Sequence, residues 1–324
     1  MHSKNIIKPI IFLSVLLIIL FVISYLMVPP NSSEGGFYKK LKGYYSAPDN
    51  TFDYVIIGDS ESSTSISPME IWKNHGYAGY NCGVPGQKLL DTYYMLDKLL
   101  QKQSPKIVLL ETNALYRNFK YTNAFQDVVD EAAKKAFPIY KYHNSWKYIN
   151  LGMLKDIGHK PKRITKVFKG FYYNVAVKPY TNGPYVNKTT AFKKIDDMPL
   201  FFLNKIVELC KSKKIQLILY STPSPLCWTY EKHNSITAFA QKNHLLYIDL
   251  NLKNDILGID WYKDTRDRGN HLNFYGAKKV SGYMGTYLSQ HMNLTDHRKE
   301  KLYKAWNKEL KRYLRLTKQI SSIQ

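Results

Sequence analysis

Apolar and polar positions alternate between two periods along most of the chain. Some runs are short, apolar and bounded by polar residues or glycine, as buried strands are: 53–58, 106–110, 216–220 and 246–249. The segment 79–86 is predicted to hold a further short strand and a turn. Longer stretches between and after them repeat apolar residues at helical spacing: 68–76, 89–103, 200–213, 235–243 and 274–289. Strands that alternate with helices predict a mainly parallel sheet covered on both faces, a three-layer α/β/α fold.

The N-terminus has a different pattern. Residues 10–28 form an uncharged and mostly apolar run, close to the roughly 20 residues that a helix needs to cross a bilayer. No small-residue cleavage site follows it closely, which favours an uncleaved signal anchor over a removed signal peptide. Lysines on both sides leave the positive-inside count undecided. The short segment 1–9 is expected inside the cell, and the large domain outside, after a linker at 29–44.

The rest of the chain is expected to form one domain at 45–290, interrupted by an insertion at 119–196. The insertion carries 15 Lys and Arg against 5 Asp and Glu. It is too long for a plain loop, so it is predicted to be a helical insertion that covers the site. Aromatic residues are frequent in it; they could stack on sugar rings or pack within the insertion.

The tail at 291–324 is predicted to form a basic amphipathic helix. Leu302, Trp306, Leu310 and Leu314 fall at helical spacing with charged residues between them. Such a helix can pack its apolar face on the domain or lie on an anionic membrane, and the sequence leaves both open.

Charge narrows the classes of partner. The 324 residues carry a formal net charge of +22, which attracts polyanions. No zinc-finger spacing or RNP-type aromatic motif is present, so nucleic acid is not expected as a partner. The cysteines, Cys82, Cys210 and Cys227, lack metal-ligand spacing, and buried free thiols are expected. No metal site and no cofactor are predicted.

Polar residues with catalytic potential follow the predicted strands. Gly58-Asp59-Ser60 follows the first strand, and Asn113 follows the strand at 106–110. A turn with the pattern N-x-G-x-P-G ends at Gly86, and His271 precedes the last helix of the domain. In open parallel sheets, sites form at the carboxyl ends of the strands. A serine needs a base for its proton and donors for the oxyanion to act as a nucleophile.

The order Ser, Gly, Asn, His resembles the four blocks of the SGNH (GDSL-type) hydrolases, whose fold is flavodoxin-like. The resemblance implies that Ser60 attacks an acyl carbon and that His271 acts as general base. It also implies an oxyanion hole built from the backbone N–H groups of Ser60 and Gly86 and the side chain of Asn113. Gly83, in the same turn as Gly86, is the alternative to it.

Several residues depart from the family pattern. The family places its aspartate three residues before the histidine, where this chain has Arg268. Asp267, four residues before His271, is the expected orienting group, with Asp264 as the alternative and a Ser–His dyad as a third reading. Glu61 stands where an apolar residue is usual, and either tunes the site, binds substrate or is a solvated turn residue. His233 is a further candidate for lining the cleft.

The anchored layout is similar to SGNH-like proteins that acylate cell-envelope polymers beside a multispanning, acyl-transporting membrane protein. The resemblance therefore implies O-acyl transfer, acetyl or alanyl, to an envelope glycopolymer, or removal of such groups, through an acyl-Ser60 intermediate. The enzyme would sit in the cell membrane by a single span, with its catalytic domain outside. Two alternatives remain: an inactive SGNH domain that binds polymer or scaffolds an envelope assembly, and a hydrolase of lipids or small esters.

Overall fold

The computed structural model describes residues 3–26, 41, 43–119 and 167–321. The chain divides into two compact units. One comprises Met1–Lys39 and Lys120–Lys162, and the other Lys40–Phe119 and Arg163–Gln324. In the first unit, α1 runs from Ser3 to Leu26 as a single helix. Among the described residues no helix qualifies as a membrane span by length and apolar character, so the anchor at 10–28 stays a prediction.

The second unit is built on a five-stranded sheet in the order β2-β1-β3-β4-β5. All strand pairs are parallel. The strands are β1 Tyr54–Ile57, β2 Gly79–Asn81, β3 Ile107–Glu111, β4 Gln216–Ser221 and β5 Leu246–Asp249. They match the predicted apolar runs to within a few residues. The parallel α/β fold predicted from the sequence is confirmed.

The helices of this unit connect the strands or follow the last of them. They are α2 Ser60–Ser65, α3 Pro68–His75, α4 Leu89–Leu99, α5 Asp197–Ser212, α6 Tyr230–Lys242, α7 Asn254–Leu257, α8 Phe274–His291 and α9 Lys304–Ser321, with 3₁₀ turns at Thr112–Tyr116, Leu250–Lys253 and Lys301–Tyr303. Helix α6 begins at Tyr230 and not at 235 as predicted, because the Thr229 side chain accepts a hydrogen bond from the backbone N–H of Lys232 and caps an extra turn.

The chain reverses direction across the sheet between β1 and β3. The connection from β1 to β2 runs one way, and the connection from β2 to β3 runs the other. Right-handed crossovers therefore put α3 and α4 on opposite faces. Helix α8 packs on α3 and α2, and α5 packs on α4. This reversal is the point at which open α/β sheets bind ligands, and the ends of β1 and β3 lie on either side of it.

Residues 171–196 of the insertion are not helical, which corrects the prediction for this part of it. They form an irregular strap. Several of its backbone N–H groups donate to other elements: that of Tyr172 to Ser63 in α2, that of Lys178 to Thr265 and that of Lys193 to Glu231 in α6. Prolines at 179 and 184 oppose a helix there. The remainder of the predicted insertion, 120–166, lies outside the described residues.

The C-terminal helix packs on the domain by part of the stripe predicted from the sequence. Trp306, which belongs to that stripe, is buried against Trp72, with ring centroids 4.8 Å apart. Tyr313 is fully buried and donates to Glu70. Leu302 is 60% exposed and Leu314 38% exposed, so these leucines lie outside the buried face. That face combines Trp306 with Tyr313, whose hydroxyl group has a partner in the core, and leucine spacing alone pointed to a neighbouring face.

Candidate active site

The turn after β1 presents Ser60 as the first residue of α2. Gly58 has φ of 133°, and a Cβ there would lie 3.0 Å from the Glu111 Cβ and 3.2 Å from the Ser62 Cβ. Only glycine combines that backbone conformation with so close an approach. Asp59 caps the helix, since its Oδ1 accepts the backbone N–H of Glu61 at 3.0 Å. These contacts fix the backbone on both sides of Ser60.

His271 is held by Asp267. The imidazole Nδ1 lies 2.6 Å from Asp267 Oδ2, and the backbone N–H of His271 donates to Oδ1 of the same carboxylate at 2.6 Å. Burial raises the pKa of Asp267, but the side-chain and backbone hydrogen bonds from His271 outweigh it and the pKa lies below its ordinary value. An ionised Asp267 keeps the proton on Nδ1 and leaves Nε2 as the acceptor nitrogen.

A tight loop explains how four-residue spacing still produces this pair. Arg268 and Gly269 have φ of 63° and 90°. The Thr265 hydroxyl accepts the Gly269 N–H at 2.8 Å and donates to the His271 carbonyl at 2.9 Å. The loop thus closes over its extra residue and returns His271 to the carboxylate.

The alternative aspartate, Asp264, is engaged elsewhere. Its side chain is almost fully buried and its Oδ2 accepts hydrogen bonds from Lys279 Nζ at 2.6 Å and from the Asp260 N–H at 2.7 Å. Asp264 therefore stabilises the start of the loop, while Asp267 contacts the imidazole.

Asn113 lies at the end of β3, in the 3₁₀ turn. Its backbone N–H donates to Glu111 Oε2 at 2.9 Å, and its side-chain amide donates to Asp59 Oδ2 at 2.8 Å. Arg117 Nε donates to the same Asp59 oxygen at 2.6 Å. One N–H of the Asn113 amide is thus fixed on Asp59, and this bond orients the second N–H of the amide, the one that a substrate could use.

The turn after β2 holds its two glycines in different settings. Gly83 N–H donates to Asn81 Oδ1 at 3.0 Å, and a Cβ at this position would come within 1.8 Å of the Ser62 Oγ. Gly86 is exposed, has φ of 74°, and would have no described neighbour within 4 Å of a Cβ. Gly83 thus packs on α2 and Gly86 shapes the outer part of the turn. Their roles as oxyanion donors remain predictions.

Glu61 is not a solvated turn residue. Its side chain is 1% exposed, and Oε1 lies 3.9 Å from His271 Nε2. Neither carboxyl oxygen has a hydrogen-bond partner among the described residues. Burial, then the Cys227 thiol, Glu111 and Asp59, raise its pKa well above the ordinary value, which favours the protonated form of the carboxyl group.

The environment of Ser60 follows from its two neighbours in the chain. Asp59 contacts Asn113, and Glu61 lies beside the Nε2 edge of His271. The structure therefore brings the candidate base and the candidate amide donor to the turn that carries Ser60. The ends of β1 and β3 and the loop before α8 meet there, although 211 positions separate residues 60 and 271.

A small cavity with polar and aromatic walls adjoins Glu61 and Asn113. It has a volume of about 20 Å³ and its walls include Glu61, Glu111, Asn113, Cys227 and Lys232. A cavity needs roughly 10–15 Å³ by this measure to hold one water, so it takes one water-sized group. The walls hold acidic and basic groups, and burial disfavours the charged form of both: it raises the pKa of Glu111 and lowers the pKa of Lys232.

His233 lies away from this cavity. Its Nδ1 is 2.7 Å from Asp249 Oδ2, and its Nε2 is 3.5 Å from the Thr237 hydroxyl one turn further along α6. Asp249 Oδ2 also accepts hydrogen bonds from Trp228 Nε1 and the Tyr247 hydroxyl. The imidazole thus ties α6 to the end of β5. It is not among the residues that line the small cavity.

Sequence reasoning missed several residues of this region. They are Glu111, Arg117, Cys227 and Lys232, which contact or line the site. The signal for Glu111 was a charged residue at the end of a buried apolar strand. Cys227 is half-buried and forms no disulfide, whereas Cys82 and Cys210 are buried as expected. Its Sγ donates to the Asn270 side chain at 2.9 Å.

Comparison with known proteins gives limited information. No protein-family model matches the chain, and no curated protein matches it. Among solved structures, it is similar to a G-D-S-L family lipolytic protein of Desulfitobacterium hafniense, with 15% identity, 73% of this chain and 99% of that chain covered, and a TM-score of 0.40. It is similar to a GDSL-like lipase of Bacteroides thetaiotaomicron, with 12% identity, 79% and 98% covered, and a TM-score of 0.40.

An acetyl xylan esterase is also similar, with 20% identity, 72% of this chain and 99% of that chain covered, and a TM-score of 0.38. TM-scores below 0.5 at such identities do not establish membership of a family. What the chain can do chemically has to be argued from the arrangement around Ser60, Asn113 and His271.

Proposed function

We propose that the chain is an SGNH-type serine enzyme that transfers O-acyl groups to a cell-envelope glycopolymer, or removes them, through an acyl-Ser60 intermediate. One observation carries the proposal. Ser60 lies between Asp59, which holds Asn113, and Glu61, which lies 3.9 Å from the Nε2 of an Asp267-bound His271. Serine acyl chemistry needs at least a nucleophile, an oriented base and an amide donor, and here all three meet around the turn that carries Ser60.

The reaction follows from these positions. His271 Nε2 takes the hydroxyl proton as Ser60 Oγ attacks the acyl carbon, and Asp267 stabilises the imidazolium that forms. The free N–H of the Asn113 amide and the Ser60 backbone N–H donate to the developing oxyanion. The leaving alkoxide takes the proton from His271. A sugar hydroxyl or water then attacks the acyl-enzyme by the same steps in reverse.

The size of the small cavity favours a short acyl group. With space for one water-sized group, it takes at most the methyl end of an acetyl group and is too small for a fatty chain. A long acyl chain needs an extended apolar channel to gain free energy by burying its methylenes. The hydrolase of small esters is therefore a closer alternative than a lipase.

The proposed location and partners rest on sequence. The apolar run at 10–28 would anchor the enzyme in the membrane with the catalytic domain outside the cell. The net charge of +22 would hold it against an anionic glycopolymer. A multispanning membrane protein would deliver the acyl group, because activated acyl donors are made in the cytoplasm and the proposed domain is not there.

A fluorophosphonate probe tests the proposal directly, because it reacts covalently only with an activated serine. The wild-type chain should be labelled, and Ser60→Ala and His271→Gln should not. Ser63→Ala is the matched control: it lies in the same helix, is buried, and its hydroxyl donates to the Ser60 carbonyl. Labelling that persists in Ser60→Ala, or a folded wild type that is never labelled, would refute the enzyme.

A polymer-binding domain without catalysis is the second candidate. It is favoured by the hydrogen bonds that the candidate oxyanion donors already make. The Asn113 amide donates to Asp59, and the Gly83 N–H donates to Asn81. If the remaining donors cannot form an oxyanion hole, the serine would stay inert. Polymer binding by a wild-type chain that the probe does not label would select this candidate.

A further inference from the structure

A second, larger cavity opens beside the loop that carries His271. Its volume is about 440 Å³, within the range of about 300–1,000 Å³ that is usual for small-molecule sites. One wall is the strap, at residues 180–186, and the other is the segment after β5, at residues 251–262. We name it the strap groove. It belongs entirely to the second unit of the chain.

Aromatic rings dominate the strap groove. Tyr180, Tyr185, Trp261 and Tyr262 all line it. Tyr180 and Tyr185 meet Trp261 edge to face, with centroids 6.2 and 5.6 Å away. The Tyr185 hydroxyl donates to Asn251 Oδ1 at 3.1 Å, which fixes that ring further. Tyr262 is 62% exposed. Three rings are thus held in place, and the fourth is presented to solvent.

Polar groups stand at the rim of these rings. Asn254 and Asp260 line the same groove. Asp260 Oδ1 accepts the backbone N–H of Tyr262 at 2.9 Å, a hydrogen bond that lowers the pKa of Asp260, and Lys263 Nζ lies 3.2 Å from Oδ2. No Lys or Arg is among the described residues that line the groove. On a chain of net charge +22, a groove whose walls hold one acid and no base is unsuited to an anion.

The chemistry of the walls selects one class of ligand. A pyranose ring has C–H groups on its faces, which gain by leaving water for an aromatic ring. Its hydroxyl groups lie at the edge, where amide and carboxylate oxygens can accept their hydrogen bonds. The Asn254 side chain is bonded to the Ile259 backbone, so the Asp260 carboxylate is the acceptor for a sugar hydroxyl, and a phosphate would meet the charge of the same carboxylate.

Hydrogen bonds connect the strap to the loop that carries Asp267 and His271. Lys178 N–H donates to the Thr265 carbonyl at 3.0 Å, and Arg268 N–H donates to the Lys178 carbonyl at 2.9 Å. A Cβ on Gly269 would come within 2.9 Å of the Tyr180 ring. Tyr180 therefore packs against the turn between Asp267 and His271, and a ligand in the groove lies beside that turn.

From these contacts we infer that the strap groove binds uncharged pyranose residues of the acceptor saccharide, next to the acyl-transfer site. The inference rests on the proposed function and specifies its substrate. The net positive charge of the chain would hold a polymer at long range, and the groove would recognise the neutral sugar rings within it. Saccharides that consist only of charged units would not fit.

Binding of neutral oligosaccharides to the full chain tests this inference. The probes are tetramers of β-1,4-linked N-acetylglucosamine and of β-1,4-linked glucose, with polygalacturonate as the anionic comparison. Binding is measured by isothermal calorimetry and by quenching of tryptophan fluorescence. We expect at least one neutral tetramer to bind, with dissociation constants raised about tenfold or more in Trp261→Ala and in Tyr262→Ala.

Tyr94→Ala is the matched control, because Tyr94 is 54% exposed and lies on α4, outside the groove. Its affinity should equal that of the wild type. Trp261 is partly buried, so Tyr262→Ala keeps the test valid if Trp261→Ala fails to fold. Absence of binding by both neutral tetramers, or binding that neither substitution weakens, would overturn the inference.

Fluorophosphonate labelling of Ser60 in the same wild-type preparation separates this result from the proposed function. Labelling without saccharide binding would leave the serine enzyme standing and remove the saccharide groove. Saccharide binding that depends on Tyr262, without labelling, would support the groove and refute the enzyme.

Discussion

Two histidine–aspartate pairs in this domain have nearly the same geometry and different surroundings. His271 Nδ1 lies 2.6 Å from Asp267, and His233 Nδ1 lies 2.7 Å from Asp249. The second nitrogen of His271 lies 3.9 Å from Glu61, beside Ser60. The second nitrogen of His233 lies 3.5 Å from Thr237 in its own helix.

The aspartates differ as well. Asp249 accepts hydrogen bonds from Trp228, Tyr247 and both nitrogens of Asn251, in addition to His233. Asp267 is 34% exposed at its side chain and bonds mainly to His271. A histidine–carboxylate pair therefore does not define a catalytic site. What its second nitrogen faces decides whether the pair moves a proton or holds the fold together.

The largest contrast is expected from removing each imidazole. His271→Gln should lower the rate of Ser60 acylation about a thousandfold or more, since loss of a catalytic base has effects of this size. His233→Gln should change that rate less than about threefold. Time courses of labelling with the fluorophosphonate probe measure both rates. Comparable losses in the two variants would contradict the role of His271 as the base.

Replacing each aspartate by asparagine tests the same contrast. Asp267→Asn should lower the acylation rate by about a hundredfold to ten-thousandfold, because an amide no longer holds the proton on Nδ1. Asp249→Asn should instead lower the free energy of unfolding, by roughly 2–4 kcal/mol through lost buried hydrogen bonds. Urea denaturation of the two variants beside their labelling rates distinguishes the roles. A large rate loss in Asp249→Asn at full stability would be inconsistent with them.

The buried Glu61 beside His271 makes the stability of the folded protein depend on pH. Its folded pKa lies above the ordinary value because of burial. The folded state then binds its proton more tightly, so stability falls as pH rises from the ordinary glutamate value towards the folded one. Glu61→Gln should remove this loss, because an amide is uncharged at every pH, and its melting temperature relative to the wild type should increase as the pH rises above the ordinary pKa of glutamate. A difference that does not vary with pH would contradict this account.

A third histidine, His297, gives the smallest expected effect. It joins the C-terminal segment to the start of β1, with Nε2 3.0 Å from Asp53 and Nδ1 2.6 Å from Glu300. Burial lowers its pKa, but the hydrogen bonds to Asp53 and Glu300 outweigh it and the pKa is raised. Burial raises the pKa of Asp53 as well.

The contribution of His297 is therefore present below its ordinary pKa and lost as pH rises through the folded pKa. Because the Asp53 shift has the same sign, the pair as a whole favours folding at lower pH. His297→Gln should cost about 1 kcal/mol near pH 6 and less near pH 8.5. Thermal unfolding at the two pH values measures this, and a cost that grows with pH would reverse the assignment.

Much of the fold could be predicted because its signal is local. Each strand is a short apolar run, and the helices between them have apolar residues at helical spacing. Alternation of the two forces a parallel sheet, and the short polar blocks after β1 and β3 then fall at its carboxyl edge. Ser60 and Asn113 could be named for this reason, without any knowledge of the contacts between them.

The strap and the C-terminal helix could not be predicted in the same way. Backbone N–H groups of Tyr172 and Lys178 donate to carbonyls far away in the chain, and no periodicity encodes such bonds. The buried face of the C-terminal segment was predicted only in part, because Tyr303, just before α9, and Tyr313, within it, are buried with hydroxyl bonds to Thr51 and Glu70. Hydrophobic spacing takes no account of such partners.

By itself the sequence determined the order of the elements and the types of side chain at the strand ends, because apolar periodicity and turn residues act within a few positions. The tertiary structure alone decided that Asp267, and not Asp264, meets His271, and that Glu61 lies buried beside it. Both outcomes depend on left-handed backbone at Arg268 and Gly269 and on packing between elements far apart in the chain. Contacts between residues far apart in the chain depend on the whole fold, so a local sequence pattern does not predict them.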